Sequence, residues 1–367
     1  MVMAANLIDF RFILLNTSLL QLENHETYMR RCLQLAVQGA GYVAPNPMVG
    51  AVLVHDDQII GEGYHEIYGG PHAEVNCIDA VPSEKKELIA ESVMYVSLEP
   101  CAHFGKTPPC ADLIIRNKIP QVVIGCRDPF VEVNGKGIEK LRAAGVEVIT
   151  GVLEKECIAV NKRFFTFHTL RRPCIVLKWA QTNNQFIGNY GNARLRITNE
   201  ITNRLVHKWR SEEAAIMVGT NTAMLDDPQL NNRLWTGNDP VRVVIDKELQ
   251  LPRSLKLFDG SVKMVVFNLI KHDEAANPQY YQVANDASIV HQVLNGLYQL
   301  RLNSVMIEGG AQLLQSFIDD HAWDEARVIT NRSLEIAEGV RAPELSGHRL
   351  IREEAINDDL SSYYQRS

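Results

Sequence analysis

The spacing of apolar positions predicts two successive regions of alternating strands and helices. From His25 to Gly39, residues Tyr28, Cys32, Leu35 and Ala36 share one helical face, and Gly39 and Gly41 end it. Gly50–Val54 is an apolar run of strand length, Asp56-Asp57 supplies a turn, and Ile59–Tyr64 returns as the second arm of a hairpin. His72–Ala80 has helical character, with Pro71 just before it, where a missing N–H costs nothing. Ser92–Leu98 alternates as a strand, Glu99–Pro109 is a loop, and Cys110–Asn117 is a helix. Strand Gln121–Cys126, helix Gly137–Ala144 and strand Val146–Thr150 complete the region. The alternation implies an α/β layer with a mostly parallel sheet.

The pattern breaks between Asn161 and Pro173, where Arg171-Arg172-Pro173 precedes a new strand at Cys174–Lys178. Helix Asn199–Trp209 follows, then strands Ala214–Val218, Val241–Ile245, Met264–Asn268 and Ser304–Ile307. The last runs into Glu308-Gly309-Gly310 and helix Ala311–Ile318. The expected division is an extension over 1–24, one domain over 25–170 and a second over 171–367. A chain of 367 residues suits two cores better than one.

Composition narrows the function. A net charge of −7 disfavours a broad grip on nucleic acid. No run reaches the roughly 20 apolar residues of a membrane span. Leu7–Leu20 is fairly apolar, but Asp9 and Arg11 interrupt it and no basic segment precedes it, so it does not resemble a secretory signal. The cysteines number seven, an odd count, which favours a reducing compartment, the cytoplasm.

Two segments carry chemistry: Pro71-His72-Ala73-Glu74, and Pro100-Cys101 followed by Cys110. One His and two Cys thiolates suit a catalytic zinc, which keeps three protein ligands and leaves one position for water. A carboxylate two residues from the His, near the metal but not on it, can carry protons during deamination. Zinc deaminases show H-x-E followed by P-C-x-x-C. Here the second Cys comes nine positions after the first rather than three. The predicted helix starts at His72 and Cys110 favour ligands there, since a helix N-terminus stabilises a thiolate. A structural zinc site is the competing reading, with His103 as the nearest fourth ligand.

Ala44–Val52, Gly61–His65, Gly70–Glu74 and Ser97–Cys110 closely resemble the riboflavin-biosynthesis deaminase–reductase family, in which the long gap between cysteines is normal. The resemblance implies a cytidine-deaminase-like three-layer α/β/α first domain. It also implies zinc on His72, Cys101 and Cys110, with Glu74 moving protons. The implied substrate is a diamino-pyrimidinone bearing a ribosylamino 5′-phosphate, contacted by Asn46, His65, Lys106 and Asp128. Without the family, Asn46 is a turn residue before proline, His65 a strand-end histidine and Lys106 a solvated lysine. Phe130 stands where many members have Asn.

The second half lacks a G-x-G-x-x-G fingerprint after a strand. Glu308-Gly309-Gly310 before a helix could admit a phosphate to backbone N–H groups, or could be a tight turn. Lys178–Thr182, Val218–Thr222, Asp226–Leu230, Val241–Asp246 and Glu308–Gly310 resemble the family's reductase half. That resemblance implies a dihydrofolate-reductase-like α/β fold using NADPH. Ala180, Arg196, Thr222, Asp226, Lys247 and the segment Gly310–Ser316, with Ala311 and Gln312, would line the cofactor. Arg194, Arg210, Leu230, Arg233 and Glu308 would line the substrate. Departures fall at Thr182-Asn-Asn-Gln185, where many members have Ser-Leu-Asp-Gly, and at Arg196, where Trp is usual.

The expectation is a bifunctional enzyme acting on small phosphoribosyl pyrimidines, a homodimer or homotetramer with no nucleic-acid or membrane partner. The alternatives are a zinc deaminase whose C-terminal half is a non-catalytic nucleotide-binding or dimerisation module, and a polynucleotide deaminase, which the acidic charge disfavours.

Overall fold

The computed structural model describes residues 24–103, 108–190 and 195–367. The expected N-terminal extension, up to residue 23, and two expected site residues, Lys106 and Arg194, lie outside the described residues. Two compact units divide the chain, one ending at Thr169 and the other spanning Leu170–Ser367.

In the first unit, helix α1 covers 24–36. Strand β1 (Gly50–His55), β2 (Gln58–Tyr64), helix α2 (Ala73–Asp79), β3 (Val93–Leu98) and α3 (Cys110–Arg116) follow. Then come β4 (Gln121–Cys126), α4 (Lys136–Ala143), β5 (Glu147–Thr150), α5 (Glu154–Val160) and α6 (Lys162–Leu170). The strand order is β2-β1-β3-β4-β5. β3, β4 and β5 are parallel, but β1 is antiparallel to both β2 and β3. The sheet is therefore mixed rather than mostly parallel. Asp56 and Asp57 both sit at positive φ, 45° and 58°, which suits a two-residue hairpin turn and reverses the chain.

Alternation along β1 supplies both faces of this sheet. Ala51 and Leu53 pack with Ala73, Cys77, Ile114 and Leu141 on one side. Val52 and Val54 pack with Met29, Cys32, Cys157 and Phe164 on the other. This is the expected three-layer α/β/α arrangement. Within the stretch from Asn161 to Pro173, Lys162–Leu170 is helical, and the polar Arg171-Arg172-Pro173 follows it outside any helix or strand. Phe164 and Phe167, one turn apart, bury themselves and outweigh the basic residues around them.

The second unit holds β6 (Cys174–Thr182), β7 (Phe186–Gly188), α7 (Glu200–Glu212), β8 (Ala215–Gly219), α8 (Thr220–Asp226), β9 (Val241–Ile245) and β10 (Met264–Asn268). It continues with β11 (Gln279–Gln282), α9 (Ile289–Gln299), β12 (Ser304–Glu308), α10 (Ala311–Asp319), β13 (Glu325–Asn331), β14 (Val340–Arg341), β15 (His348–Ile356) and β16 (Asp359–Arg366). The main sheet runs β11-β10-β9-β8-β12-β6-β13-β16-β15. It is parallel from β11 to β13, with β16 and β15 added antiparallel. Parallel strands end at one edge, so the segments after β8, β9 and β12 emerge together, where α/β sheets bind ligands. The apolar runs of these strands are buried on both faces. β15 is exposed at nearly every position, so it has no buried alternation for a periodicity reading to detect.

Candidate active sites

His72 is the N-cap of α2 and Cys110 is the first residue of α3. Cys101 lies in the loop after β3. The fold brings His72 Nδ1 to 3.6 Å from Cys101 Sγ and 3.3 Å from Cys110 Sγ. Zinc–sulfur bonds of about 2.3 Å and zinc–nitrogen bonds of about 2.0–2.1 Å give tetrahedral N···S edges of about 3.5 Å. The observed edges bracket that value, so the donor set fits the metal in both chemistry and size. Among the described residues this is the one cluster whose ligand atoms lie within 4.8 Å of one another. His103, the fourth-ligand candidate, is not part of it; its ring packs against Phe130 at 6.1 Å. Three protein ligands leave one position open, as a catalytic site requires.

The charges prepare the thiols. The hydrogen bond with Cys110, then His72, pulls the Cys101 thiol down to about 4 against the cost of burial. Cys110, beside the Cys101 thiolate and itself buried, is pushed up. The Cys110 backbone N–H adds a 3.4 Å hydrogen bond to Cys101 Sγ. Glu74, the second residue of α2, is only 3% exposed, and burial raises its pKa. A carboxyl moved towards neutrality can both take and give a proton.

The surrounding residues are bound into this centre. His65 Nδ1 lies 2.9 Å from the Pro71 carbonyl oxygen, which can only accept, so Nδ1 carries the ring proton. Nε2 then accepts from Asn46 Nδ2 at 3.1 Å. Burial lowers the His65 pKa and keeps the ring neutral. Asp128 is also buried, which pushes its carboxyl up to about 7. Its Oδ1 accepts from the Phe130 N–H at 2.7 Å.

Periodicity gave no role to Glu99, yet its buried carboxylate accepts backbone N–H groups from Asp128, Gly135, Gly137 and Ile138 at 2.9–3.3 Å. It ties the end of β3, two residues before Cys101, to the loop carrying Asp128 and to the start of α4. Gly137 is required there, because a β-carbon would lie 1.9 Å from the Pro100 oxygen. The signal in the sequence is a carboxylate directly after the end of a largely apolar strand.

In the second unit, Arg210 and Glu308 form a two-pronged ion pair at 2.7 and 2.6 Å. Burial alone would raise Glu308, but Arg210 and Lys178 reverse this and hold it at about 2. Arg210 also donates to the Asn231 carbonyl at 3.1 Å. His207, absent from the sequence reading, accepts the Arg233 backbone N–H on Nδ1 at 3.1 Å. Burial and the nearby Arg210 push His207 down to about 4, so it stays neutral. Leu230 is 2% exposed and packs with Ile216 and Val244 in the core.

Gly309 and Gly310 take positive φ, 110° and 78°, and a β-carbon on Gly309 would stand 3.2 Å from Thr222 Cγ2. This tight turn opens α10, with Ala311 its first residue and Gln312 exposed. Thr222 and Asp226 lie on α8, Lys247 follows β9 and is exposed, and Ala180 is on β6. Arg196 is exposed on the segment before α7. The departure at 182–185 forms the turn into β7: buried Thr182 donates to Asn184 Oδ1, and Gln185 sits at φ 65°.

The His72–Cys101–Cys110 triangle with Glu74 beside it is the donor set of a zinc deaminase, and a parallel α/β unit follows it in the chain. Residues 22–126 match the cytidine and deoxycytidylate deaminase zinc-binding region, and residues 173–331 match the RibD C-terminal domain. The chain is 37% identical to the riboflavin biosynthesis protein RibD of Aquifex aeolicus, over 94% of this chain and 99% of that protein. A Thermotoga maritima structure described as a diaminohydroxyphosphoribosylaminopyrimidine deaminase/5-amino-6-(5-phosphoribosylamino)uracil reductase has a TM-score of 0.83 at 33% identity, covering 95% of this chain and 100% of that one. Acinetobacter baumannii RibD gives 0.85 at 28% identity, covering 94% and 99%.

The chain belongs to the RibD family of riboflavin biosynthesis proteins. It is a bifunctional enzyme with a zinc-dependent deaminase and an NADPH-dependent reductase, and a non-catalytic C-terminal half is not favoured. Among the described residues no helix is long and apolar enough to cross a membrane.

Proposed function

We propose that the first unit hydrolytically deaminates a diamino-pyrimidinone carrying a ribosylamino 5′-phosphate. The second unit then reduces the ribosyl group of the product to ribityl. The observation that carries this reading is the His72–Cys101–Cys110 triangle with buried Glu74 beside it. Zinc held there supplies Lewis-acid activation of water. Glu74 takes a proton from the attacking water and delivers it to the departing ammonia. Asn46 and Asp128 orient the ring and ribose. His65, with both nitrogens engaged, fixes Asn46 as it contacts the substrate. Lys106 offers the phosphate a point charge.

In the second unit NADPH supplies the hydride. The Gly310 turn and the α10 segment through Ser316, including Ala311 and Gln312, receive the cofactor phosphates. Ala180, Thr222, Asp226, Lys247 and Arg196 line the rest. Arg194 and Arg233 pair with the substrate phosphate. Arg210 is engaged by Glu308, so it keeps that carboxylate ionised beside the substrate, with the Leu230 backbone completing the wall.

Seven cysteines, none of them in a disulfide among the described residues, support a cytoplasmic setting. Exposed Leu350 and Ile351 on β15 support a homodimer or homotetramer, which equilibrium sedimentation tests. The decisive experiment combines metal analysis with assays of ammonia release and NADPH consumption on the diamino-pyrimidinone phosphate. The zinc-loaded chain should release ammonia without NADPH and consume NADPH only after deamination. Cys110→Ala should lower bound zinc and abolish ammonia release. Zinc-loaded enzyme that releases no ammonia, or unchanged zinc in Cys110→Ala, overturns the reading.

A further inference from the structure

Asn161 lies between α5 and α6, beyond the stretch that matches the deaminase zinc-binding region. It is only 2% exposed. Its Oδ1 accepts the Met48 backbone N–H at 2.8 Å, and its Nδ2 donates to the Met48 carbonyl at 2.8 Å. One side-chain amide thus satisfies both backbone groups of a residue 113 positions away, as a neighbouring β-strand would. An amide does this at every pH, because one end accepts while the other donates, whereas a carboxyl could do so only when protonated.

The clamped residue belongs to the loop that presents Asn46. Immediately after Met48, the Val49 carbonyl accepts the His65 backbone N–H at 2.9 Å. Within the same loop, the Asn46 amide donates to His65 Nε2, whose Nδ1 holds the Pro71 carbonyl next to the ligand His72. The loop therefore has one anchor on the hairpin side, His65, and one on the opposite side of the sheet, Asn161. Asn161 touches neither metal ligand nor Glu74 in any of these bonds.

We infer that Asn161 is a positioning residue of the deaminase, holding the loop at residues 46–49 in the conformation that binds substrate. This rests on the proposed role of Asn46. The consequence is that the deaminase pocket depends on the segment leading out of the first unit, although that segment contains no reacting group. Loss of the clamp should weaken substrate binding while leaving zinc and proton transfer in place.

The test uses the full chain loaded with zinc. Asn161→Asp is isosteric and still accepts the Met48 N–H; when ionised it turns a bare oxygen towards the Met48 carbonyl, and only Asn161→Ala is decisive where the Asp is protonated. Asn161→Ala removes both bonds without burying a charge, and decides the matter if the Asp variant does not hold zinc. The deaminase KM should rise about tenfold, with kcat changed less than about threefold and zinc stoichiometry and reductase turnover unchanged. A merely structural asparagine would lower the active fraction, and so kcat per chain, without moving KM.

Asn46→Ala closes a double-mutant cycle. If Asn161 acts through this loop, the KM effects combine to less than their product. Unchanged KM in the zinc-holding Asn161 variants overturns the inference. So does an Asn46→Ala shift that simply multiplies with that of Asn161. Asn46→Ala with unchanged KM would instead remove the Asn46 contact from the proposed function, and Asn161 would then be judged on its own KM shift.

Discussion

The deaminase unit and the reductase unit each bury a carboxylate at their centre, and the two are driven in opposite directions. Glu74 is 3% exposed and burial raises its pKa. Glu308 meets the same desolvation, but Arg210 and Lys178 outweigh it and the carboxyl ionises at about 2. Burial fixes how strongly the environment acts, while the partner fixes the protonation state. A proton carrier has to be able to change state; a carboxylate that organises cations has to stay charged. The units also differ in how they gather their groups. The candidate metal ligands come from 72 to 110, on two helix starts and one loop, whereas the proposed reductase residues are spread from 180 to 316 over strands, helices and the segments between them.

The comparison breaks most visibly at Glu74. Glu74→Gln keeps the shape and the candidate metal ligands but removes the proposed proton carrier. Ammonia release should fall about 10²–10⁴-fold, with zinc content and NADPH-dependent reduction intact. An active Glu74→Gln enzyme would make another group the proton carrier.

Next in size is the buried pair. Arg210→Ala leaves Glu308 buried without its main partner and should destabilise the reductase unit by about 3–5 kcal/mol, read from denaturant unfolding. The pH dependence has a definite sign. Glu308 ionises at about 2 in the fold against an ordinary value of 4.5. Its stabilisation is therefore complete above about pH 4.5 and is lost as pH falls towards about 2. Glu308→Gln should flatten that acid limb; an unchanged limb would place the acid sensitivity elsewhere.

The smallest effect is expected at Glu99. Glu99→Gln keeps the volume but replaces one acceptor oxygen with an NH₂ facing N–H donors. A loss of about 1–3 kcal/mol should follow. The amides of Gly135 and Gly137 should exchange hydrogen faster, with zinc retained. Unaltered exchange would show that the loop carrying Asp128 is held by other contacts.

Much of the fold was legible because its signals are local. The strands of both sheets are apolar runs of the right length, and Pro71, Pro109 and Asn199 stand where helices begin. The mixed pairing of β1 was hidden, because alternation cannot show which edge a hairpin joins. Helix α6 was hidden by Arg171-Arg172 close behind its aromatic face. β15 was missed since an exposed strand lacks a buried period, and β16 since its buried positions are the polar Asp359, Ser361 and Ser362. At the sites, His72, Glu74, Cys101 and Cys110 could be found from spacing, as metal chemistry restricts residue type. Glu99, Asn161 and His207 could not, because each acts on backbone groups supplied by a distant segment.

The His-x-Glu and long-gapped Cys pair, set by ligand chemistry, pointed by themselves to a metal site and a deaminase, and together with Ala44–Val52 and Gly61–His65 they carried the resemblance to the family. Only the tertiary structure decided how each group is charged and held. It set the His65 tautomer through Pro71, turned Arg210 towards Glu308, and fastened the Asn46 loop through a residue 113 positions from Met48. The reason is physical: residue type and spacing limit which chemistry is possible, but desolvation and hydrogen-bond partners depend on chain segments that meet only when the sheet and its helices have packed.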